Sequence, residues 1–351
     1  MNKNNTNCMK RYCSVLLLAA ACSTAAAADG ITLYGIVDGG IGYSRQDGGD
    51  SDVTVDSGSS EDAQFGVRGR EDLGGGLTGK FELESGIDLD RGTWSDEERF
   101  FNRAAWVGLA GSFGELRLGR QSTFSHDWFS ELSPFKSDFK QAAVATIFGY
   151  EAIAERVDNA VFYTSPEMRG FEAGIGYSFN ANGPEAPGED NEVLTAGLRY
   201  TAGPLVAVAT YELGRDADDD AAPGRDDIRN LSLGATYEFS RLTLHAGYGR
   251  LRNRDFLATA RTENAWLLGV TVPVGRGEVL AAYQRVKGRN SNEFGLESTR
   301  DGIALAYLYP LSKRTSLYAY GSRFRDVDVR NDDPGQLANR TQAGAGVRHV
   351  F

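Results

Sequence analysis

Residues Phe101–Gln121 read FNRAAWVGLAGSFGELRLGRQ, and the placement of Arg103 in this stretch separates two kinds of β-protein. Apolar positions recur every second residue on either side of the short connection AGS (Ala110–Ser112), the pattern of two strands. A soluble sheet would leave Arg103 on a wet outer face. A closed barrel in a membrane turns it inward, because a guanidinium on the lipid face near the midplane costs roughly 2–4 kcal/mol. In that register Arg103, Ala105 and Val107 face a lumen, while Ala104 and Trp106 face lipid or a neighbouring subunit.

The same period runs through the chain. In NLSLGATYEF (Asn230–Phe239), Leu231, Leu233, Ala235, Tyr237 and Phe239 share one face and polar or small residues the other. In RLTLHAGYG, Leu242, Leu244, Ala246 and Tyr248 oppose Thr243, His245, Gly247 and Gly249. Phe81 and Leu83 alternate with Lys80, Glu82 and Glu84. Each run is about 9–13 residues, the length a tilted strand needs to cross a bilayer. Sixteen such runs start near Ile31, Asp62, Leu77, Arg99, Phe113, Arg156, Gly170, Asn191, Pro204, Asp227, Arg241, Thr262, Gly277, Arg300, Arg314 and Arg340.

Short connections (DLGGG, AGS, SPEMRG, TAGP, SR, PVGRG, LSKRT) alternate with long polar ones. That alternation fits an even-stranded antiparallel transmembrane β-barrel with both termini at one end, closed so that it has no open edge. A soluble all-β sandwich or propeller is the competing fold. Aromatic residues at strand ends (Tyr177, Phe179, Tyr200, Tyr211, Tyr237, Phe239, Tyr307, Tyr309) argue against it, because they suit interfacial girdles, and no propeller repeat is evident.

The N-terminus reads as a secretory signal over residues 1–28: Lys10 and Arg11, then Val15–Ala21, then small residues Thr24–Ala28,. The apolar stretch is too short for a spanning helix, which needs ~20 apolar residues. A lipoprotein signal ending at Cys22 competes, but Ala19 stands where leucine is usual. Cleavage after Ala28 leaves a barrel domain, residues 29–351, with no cysteine, because Cys8, Cys13 and Cys22 all lie before it. Disulfides and thiolate metal sites are thereby excluded. Cleavage also removes Lys3, Lys10 and Arg11 and no acid, taking the formal charge from −11 to −14, which disfavours nucleic acid as a partner. The three histidines, His126, His245 and His349, lie in no recognisable nucleophile motif,, so no enzyme is expected. The acid-rich stretch Gly214–Asp227 reads as a solvated loop or one bridged through metal to lipid headgroups.

The longest connection, Ser122–Glu155, has 34 residues, and a loop of that length in a compact protein is functional or disordered. Phe124, Trp128, Phe129, Phe135, Phe139, Ile147 and Phe148 could pack it against an inner wall. Its acids include Asp127, Glu131 and Asp138.

ITLYGIVDGGIGY (Ile31–Tyr43), FGVRGREDLGGGLTGKFELESG (Phe65–Gly86), the opening stretch, RVDNAVFYTSP (Arg156–Pro166), YPLSKRTSLYAYG (Tyr309–Gly321) and AGVRHVF (Ala345–Phe351) follow one another in the order of a known family. Together they resemble the trimeric general porins of Gram-negative outer membranes, most closely the neisserial-type branch. The resemblance implies a sixteen-stranded barrel with an inward-folded constriction loop. It implies passive diffusion of ions and small hydrophilic solutes through a homotrimer, without a cofactor or metal; a substrate-specific channel or a surface adhesin barrel is the alternative. It places Arg68 and Arg103 on the basic wall of the constriction, with Asp127, Glu131 and Asp138 on the loop facing them. By parity Gln64, Arg68 and Arg70 face inward.

Gln64 and Phe162 stand where such porins often carry a basic residue, and Glu82 and Glu84 add acid to the wall. A weak cation preference follows. Small residues expected to face outward on the early strands (Gly35, Gly39, Ala104, Gly108) suit subunit contact. Val347, His349 and Phe351 share a face, as in the terminal signal read by the barrel-assembly machinery. Outer-membrane lipids and lipopolysaccharide complete the implied partners.

Overall fold

The computed structural model describes residues 29–136, 139, 153–184, 191–215, 228–254, 260–290, 297–328 and 339–351. The expected signal, residues 1–28, and the candidate loop acid Asp138 lie outside them.

Sixteen antiparallel strands close into a barrel. The first five spanning segments are β1 (Gly30–Gln46), β2 (Gln64–Gly74), β3 (Leu77–Asp88), β4 (Ala104–Gly111) and β5 (Gly114–Ser122). Next come β6 (Ala160–Thr164), β7 (Phe171–Ser178), β8 (Val193–Ala202), β9 (Leu205–Gly214) and β10 (Ile228–Glu238). The last six are β11 (Thr243–Arg254), β12 (Ala260–Val274), β13 (Gly277–Asn290), β14 (Glu297–Pro310), β15 (Thr315–Asp328) and β16 (Arg340–Val350). Each pairs with its neighbour in sequence, and β1 pairs with β16 from Ile36↔Val350 to Gln46↔Arg340. Gly35 and Phe351 exchange both backbone hydrogen bonds at the seam (3.3 and 3.1 Å). Closure satisfies every edge that an open sheet would expose in lipid.

Alternation decides which way each side chain points. Val107, Leu109, Leu116, Leu118, Ile175, Leu198, Leu233, Leu268, Ile303 and Leu305 are exposed on the outer wall. Inward positions carry small, polar or charged residues where the cylinder is water-filled, and apolar ones such as Phe162, Val208, Leu267 and Leu280 in the buried cluster that also holds the loop's aromatic residues. Phe171 stacks on Tyr200 (4.4 Å between ring centroids) and Tyr237 on Phe239 (4.6 Å) at the end with the short turns.

Three of the first six strands are interrupted. Ser51–Ser57 continues β2 along the far half of β1, Thr93–Trp94 pairs with the end of β3, and Arg156–Val157 pairs with the end of β5. In the first gap, Ser60 and Glu61 donate backbone N–H groups to Asp38 Oδ2 (3.1 and 2.8 Å), and Tyr318 donates to Oδ1 (2.6 Å). Asp38 is fully buried, and these bonds offset its desolvation. The second gap explains the largest shift from the expected boundaries: β4 begins at Ala104 rather than near Arg99.

Candidate functional site

The connection after β5 folds into the barrel. A π-helical turn, Ser125–Phe129, leads into a 3-10 turn, Ser130–Leu132. Phe129, Leu132 and Phe135 are at most 1 % exposed, so the loop's apolar side chains meet the wall and not water. Burial of each large side chain is worth roughly 1.5–3 kcal/mol. Phe124 packs on Trp128 (4.7 Å) and Phe162 (5.3 Å), and Phe139 reaches Tyr318 and Tyr320 (5.8 and 5.9 Å). Phe139 N–H donates to the Ser60 carbonyl (2.9 Å). The loop thus crosses from β7 to the far side of the barrel.

Inward-facing glycines seat it. A Cβ on Gly197 would lie 2.6 Å from the Trp128 ring, and one on Gly234 2.7 Å from Leu132; Gly174 and Gly269 lie equally close under Phe124 and Pro134. Polar ties add direction. Phe124 N–H donates to Thr195 Oγ1 (3.1 Å), Ser125 Oγ to Thr210 Oγ1 (3.0 Å), and His245 Nδ1 meets the Leu132 carbonyl (2.9 Å).

On the opposite wall a polar cavity of about 220 Å³ is lined by Glu82, Glu84, Arg103, Ala104, Trp106, Arg117, Gln121, Ser122, His126, Asp127 and Arg156. Arg103 Nε donates to Glu84 (2.8 Å) and Nη1 to Asp62 (3.1 Å). Tyr34 Oη lies 2.7 Å from carboxylate oxygens of both Glu82 and Glu84, and Trp106 Nε1 donates to Glu82 (3.0 Å). Arg68 lies over the Tyr34 ring (4.9 Å), Arg117 over Trp106 (4.4 Å), and Arg156 pairs with Glu155. Gly66 lets the Tyr34 ring lie flat against β2, where a Cβ would meet it.

Arg103, Glu82, Glu84 and Asp127 therefore surround one water-accessible space. Arg68 stands one strand away, joined through Tyr34. Gln64 faces the same way higher on β2, in register with Ile36 and Gly86. Glu131 pairs with Lys136 on the loop (3.1 Å), both half-exposed. Val347 and Phe351 are exposed on the outer wall, where the Thr315 hydroxyl meets His349 (2.9 Å).

Two readings of the sequence need correction. Trp106 and Ala104 face inward, and Val107, with 59 % of its surface exposed, faces outward, so the register expected for β4 is inverted. Arg103 still reaches the lumen because it lies in the irregular gap before β4, where strict alternation does not apply. Ala104 and Gly108 consequently line the inside and cannot serve a subunit contact. Phe162 points inward but lies under Phe124, 4 % exposed, so it seats the loop and does not line open channel.

Tyr34, Asp62, Arg117, Arg156 and Glu115, which joins Arg117 to Lys80 (2.6 Å) beside the cavity, escaped the sequence reading. Leu116 and Leu118, both outward, would have placed Glu115 and Arg117 inward by parity alone. The others are joined across strands and leave no local signal.

Burial pushes the His126 imidazole down to about 4, opposed by Glu155 and reinforced by Arg156 and Arg103. A folded value below the ordinary 6.5 means the loop anchor is fully stable above about pH 6.5 and loses stability as pH falls toward about 4,. His126→Gln should remove that part of the acid sensitivity. Thermal unfolding of parent and variant at pH 7 and pH 4 would check it; equal losses in both would contradict this role.

Comparison with known proteins gives a consistent picture. The family model described as Gram-negative porin matches residues 14–328. An outer membrane porin protein of Bordetella pertussis is 32 % identical, covering 97 % of this chain and all of the relative. Outer membrane porin protein 32 of Delftia acidovorans is 33 % identical, with 98 % and 100 % covered. The solved anion-selective porin from Comamonas acidovorans superposes with a TM-score of 0.78 at 27 % identity, covering 92 % of this chain and all of that one.

Proposed function

The chain belongs to the family of Gram-negative porins, and from that premise we propose how this outer-membrane channel works. It is a porin whose aperture is set by the connection after β5 and whose ion preference is set by the charged wall of β1–β5. The observation that carries this reading is the row of loop aromatics buried on inward glycines opposite a cavity lined by both signs of charge. Such a site lowers the electrostatic cost of moving hydrated solutes while limiting their size; it performs no covalent chemistry. Deleting Ser130–Ala143 should raise single-channel conductance in a planar bilayer and admit larger solutes. Unchanged conductance in a correctly assembled deletion barrel would refute it.

Glu84 and Asp62 both engage Arg103, so the wall offers less net positive charge than its guanidinium groups suggest. The channel has a weak cation preference that grows at low salt, since the screening length is ~8 Å at physiological ionic strength and shields the outer loops from the constriction. Reversal potentials across a salt gradient measure this.

The working unit is a homotrimer joined through the outer faces of β1–β5. Supporting this are outward Gly39, over which nothing of this chain packs, and an apolar groove of about 890 Å³ that includes Ile31, Phe81, Val107, Leu109, Leu116 and Leu118; Gly35, also outward, is covered by the Phe351 ring. A monomer in mild detergent, by mass with detergent accounted for, would exclude the trimer. Residues 1–28 act as a cleaved export signal, the Phe351 end is read by the assembly machinery, and lipopolysaccharide surrounds the barrel.

A further inference from the structure

Asp38 points inward from β1 with no exposed surface, on the face opposite to exposed Val37 and Ile41. A carboxylate is costly there unless its oxygens are hydrogen-bonded. Across the seam it is in register with Arg348 of β16, which pairs with Glu61 (2.6 Å), so a cation stands beside the buried group. The Tyr318 ring comes from β15, one strand further round. It reaches Asp38 by lying over Gly346 of β16 and Gly40 of β1, which are in register with each other. A Cβ on either glycine would strike the Tyr318 hydroxyl. One carboxylate thus ties β15 to β1 across the intervening strand.

Both groups that Asp38 holds also carry the loop. Ser60 donates its N–H to Asp38 Oδ2 (3.1 Å), while the Ser60 carbonyl accepts the Phe139 N–H (2.9 Å). Tyr318 donates its hydroxyl to Asp38 Oδ1 (2.6 Å), while its ring meets the Phe139 ring edge-on (5.8 Å, 84°). Glu61 N–H adds a second bond to Oδ2 (2.8 Å). Phe139 is 2 % exposed and has φ of +51°, a backbone region that a non-glycine residue keeps only where its surroundings hold it there,. Among the described residues the hydrogen bonds of Asp38 go to the wall and to the gap after Ser57. Its influence on the loop therefore passes through Ser60 and Tyr318.

We propose that Asp38 is a positioning residue for the constriction: through Ser60 and Tyr318 it fixes the far end of the connection after β5, so that the aperture depends on the β1–β16 seam. The proposal rests on the reading that this connection sets the aperture. Bonds to a carboxylate are roughly twice as strong as neutral ones, and three of them keep both supports in place. Without the carboxylate, two N–H groups and a hydroxyl lose their acceptor, and the Ser60 turn leaves the position that receives Phe139. The near end stays seated on Gly174 and Gly197, so the loop swings about that end and remains in the lumen.

The test records single channels from Asp38→Ala, Tyr318→Phe and Asp38→Asn, each in the full chain and with Ser130–Ala143 deleted. In the full chain Asp38→Ala should raise the fraction of time spent at higher conductance by up to about tenfold, the factor that loss of one hydrogen bond to a charged group carries. Tyr318→Phe keeps the ring under Phe139 and loses only the hydroxyl, so its rise should be smaller, about threefold. Asp38→Asn still offers an oxygen to the two N–H groups and an amide to the Tyr318 hydroxyl, and should lie nearest the parent. All three changes should vanish in the deletion background, where no far end remains to be placed. A residue that only strengthened the seam would lower the unfolding temperature in both backgrounds and leave that difference between them absent. Parent-like records from Asp38→Ala and Tyr318→Phe, or equal changes with and without the loop, would overturn the proposal. Should Asp38→Ala fail to assemble, Tyr318→Phe decides by the same comparison. A deletion that by itself leaves conductance unchanged would sink the aperture reading and this proposal together; a deletion that raises it beside inert Asp38 and Tyr318 variants would sink this proposal alone.

Discussion

Arg103→Ala is expected to shift the reversal potential toward stronger cation preference, with the permeability ratio changing roughly fivefold. The guanidinium engages Glu84 at 2.8 Å and Asp62 at 3.1 Å, so its loss releases two carboxylates into the lumen. A unit charge acts on an ion 4 Å away with about 1 kcal/mol in water and about 4 kcal/mol at an effective dielectric of 20. Lumen water favours the low end, which corresponds to the stated factor. Glu84→Gln should move the potential the other way, since Arg103 then retains only Asp62. No shift in Arg103→Ala, or a shift toward anions, would show that these charges do not face the permeating ion.

The second large effect concerns the loop. Phe129 is fully buried against the wall beneath Gly234 and Gly247, and truncating such a side chain to alanine costs about 3–5 kcal/mol. The barrel's hydrogen-bonded strands do not depend on this contact, so the loss falls on loop docking. Phe129→Ala should therefore give a folded barrel with a larger mean conductance and increased open-channel noise. Phe129→Leu, which keeps most of the volume, should stay near the parent, at a cost below about 1.5 kcal/mol. Quiet, parent-like single-channel records from the alanine variant would count against the packing account.

These two sites were not equally legible in the sequence. Regular strands such as β10 and β11 announce their faces, because Leu231 to Phe239 and Leu244 to Tyr248 repeat without interruption. The inward loop was legible too, since Phe124, Trp128 and Phe129 within a long connection need a surface to cover. The error in β4 arose where the strand is broken: residues 95–103 pass through a gap, and parity counted across it from Arg103 inverts everything after. Tyr34 and Asp62 could not be read at all, because their roles come from register between strands more than 40 residues apart, visible only once Tyr34 Oη meets Glu82 and Asp62 meets Arg103. The glycine seats were hidden for a different reason. A glycine in a strand signals close approach of something, but not of what.

The inner-wall glycines make size and charge independent settings. The loop rests on Gly174, Gly197, Gly234 and Gly269, on the side of the barrel away from Arg103, Glu82 and Glu84. A methyl group added at one of these seats would act as a shim behind the loop, moving it toward the axis while the charges fixed on the strands, Arg103, Glu82 and Glu84, stay where they are. A lineage of such barrels could narrow or widen its size cut-off from the rear, one small residue at a time, while the electrostatic face kept its preference.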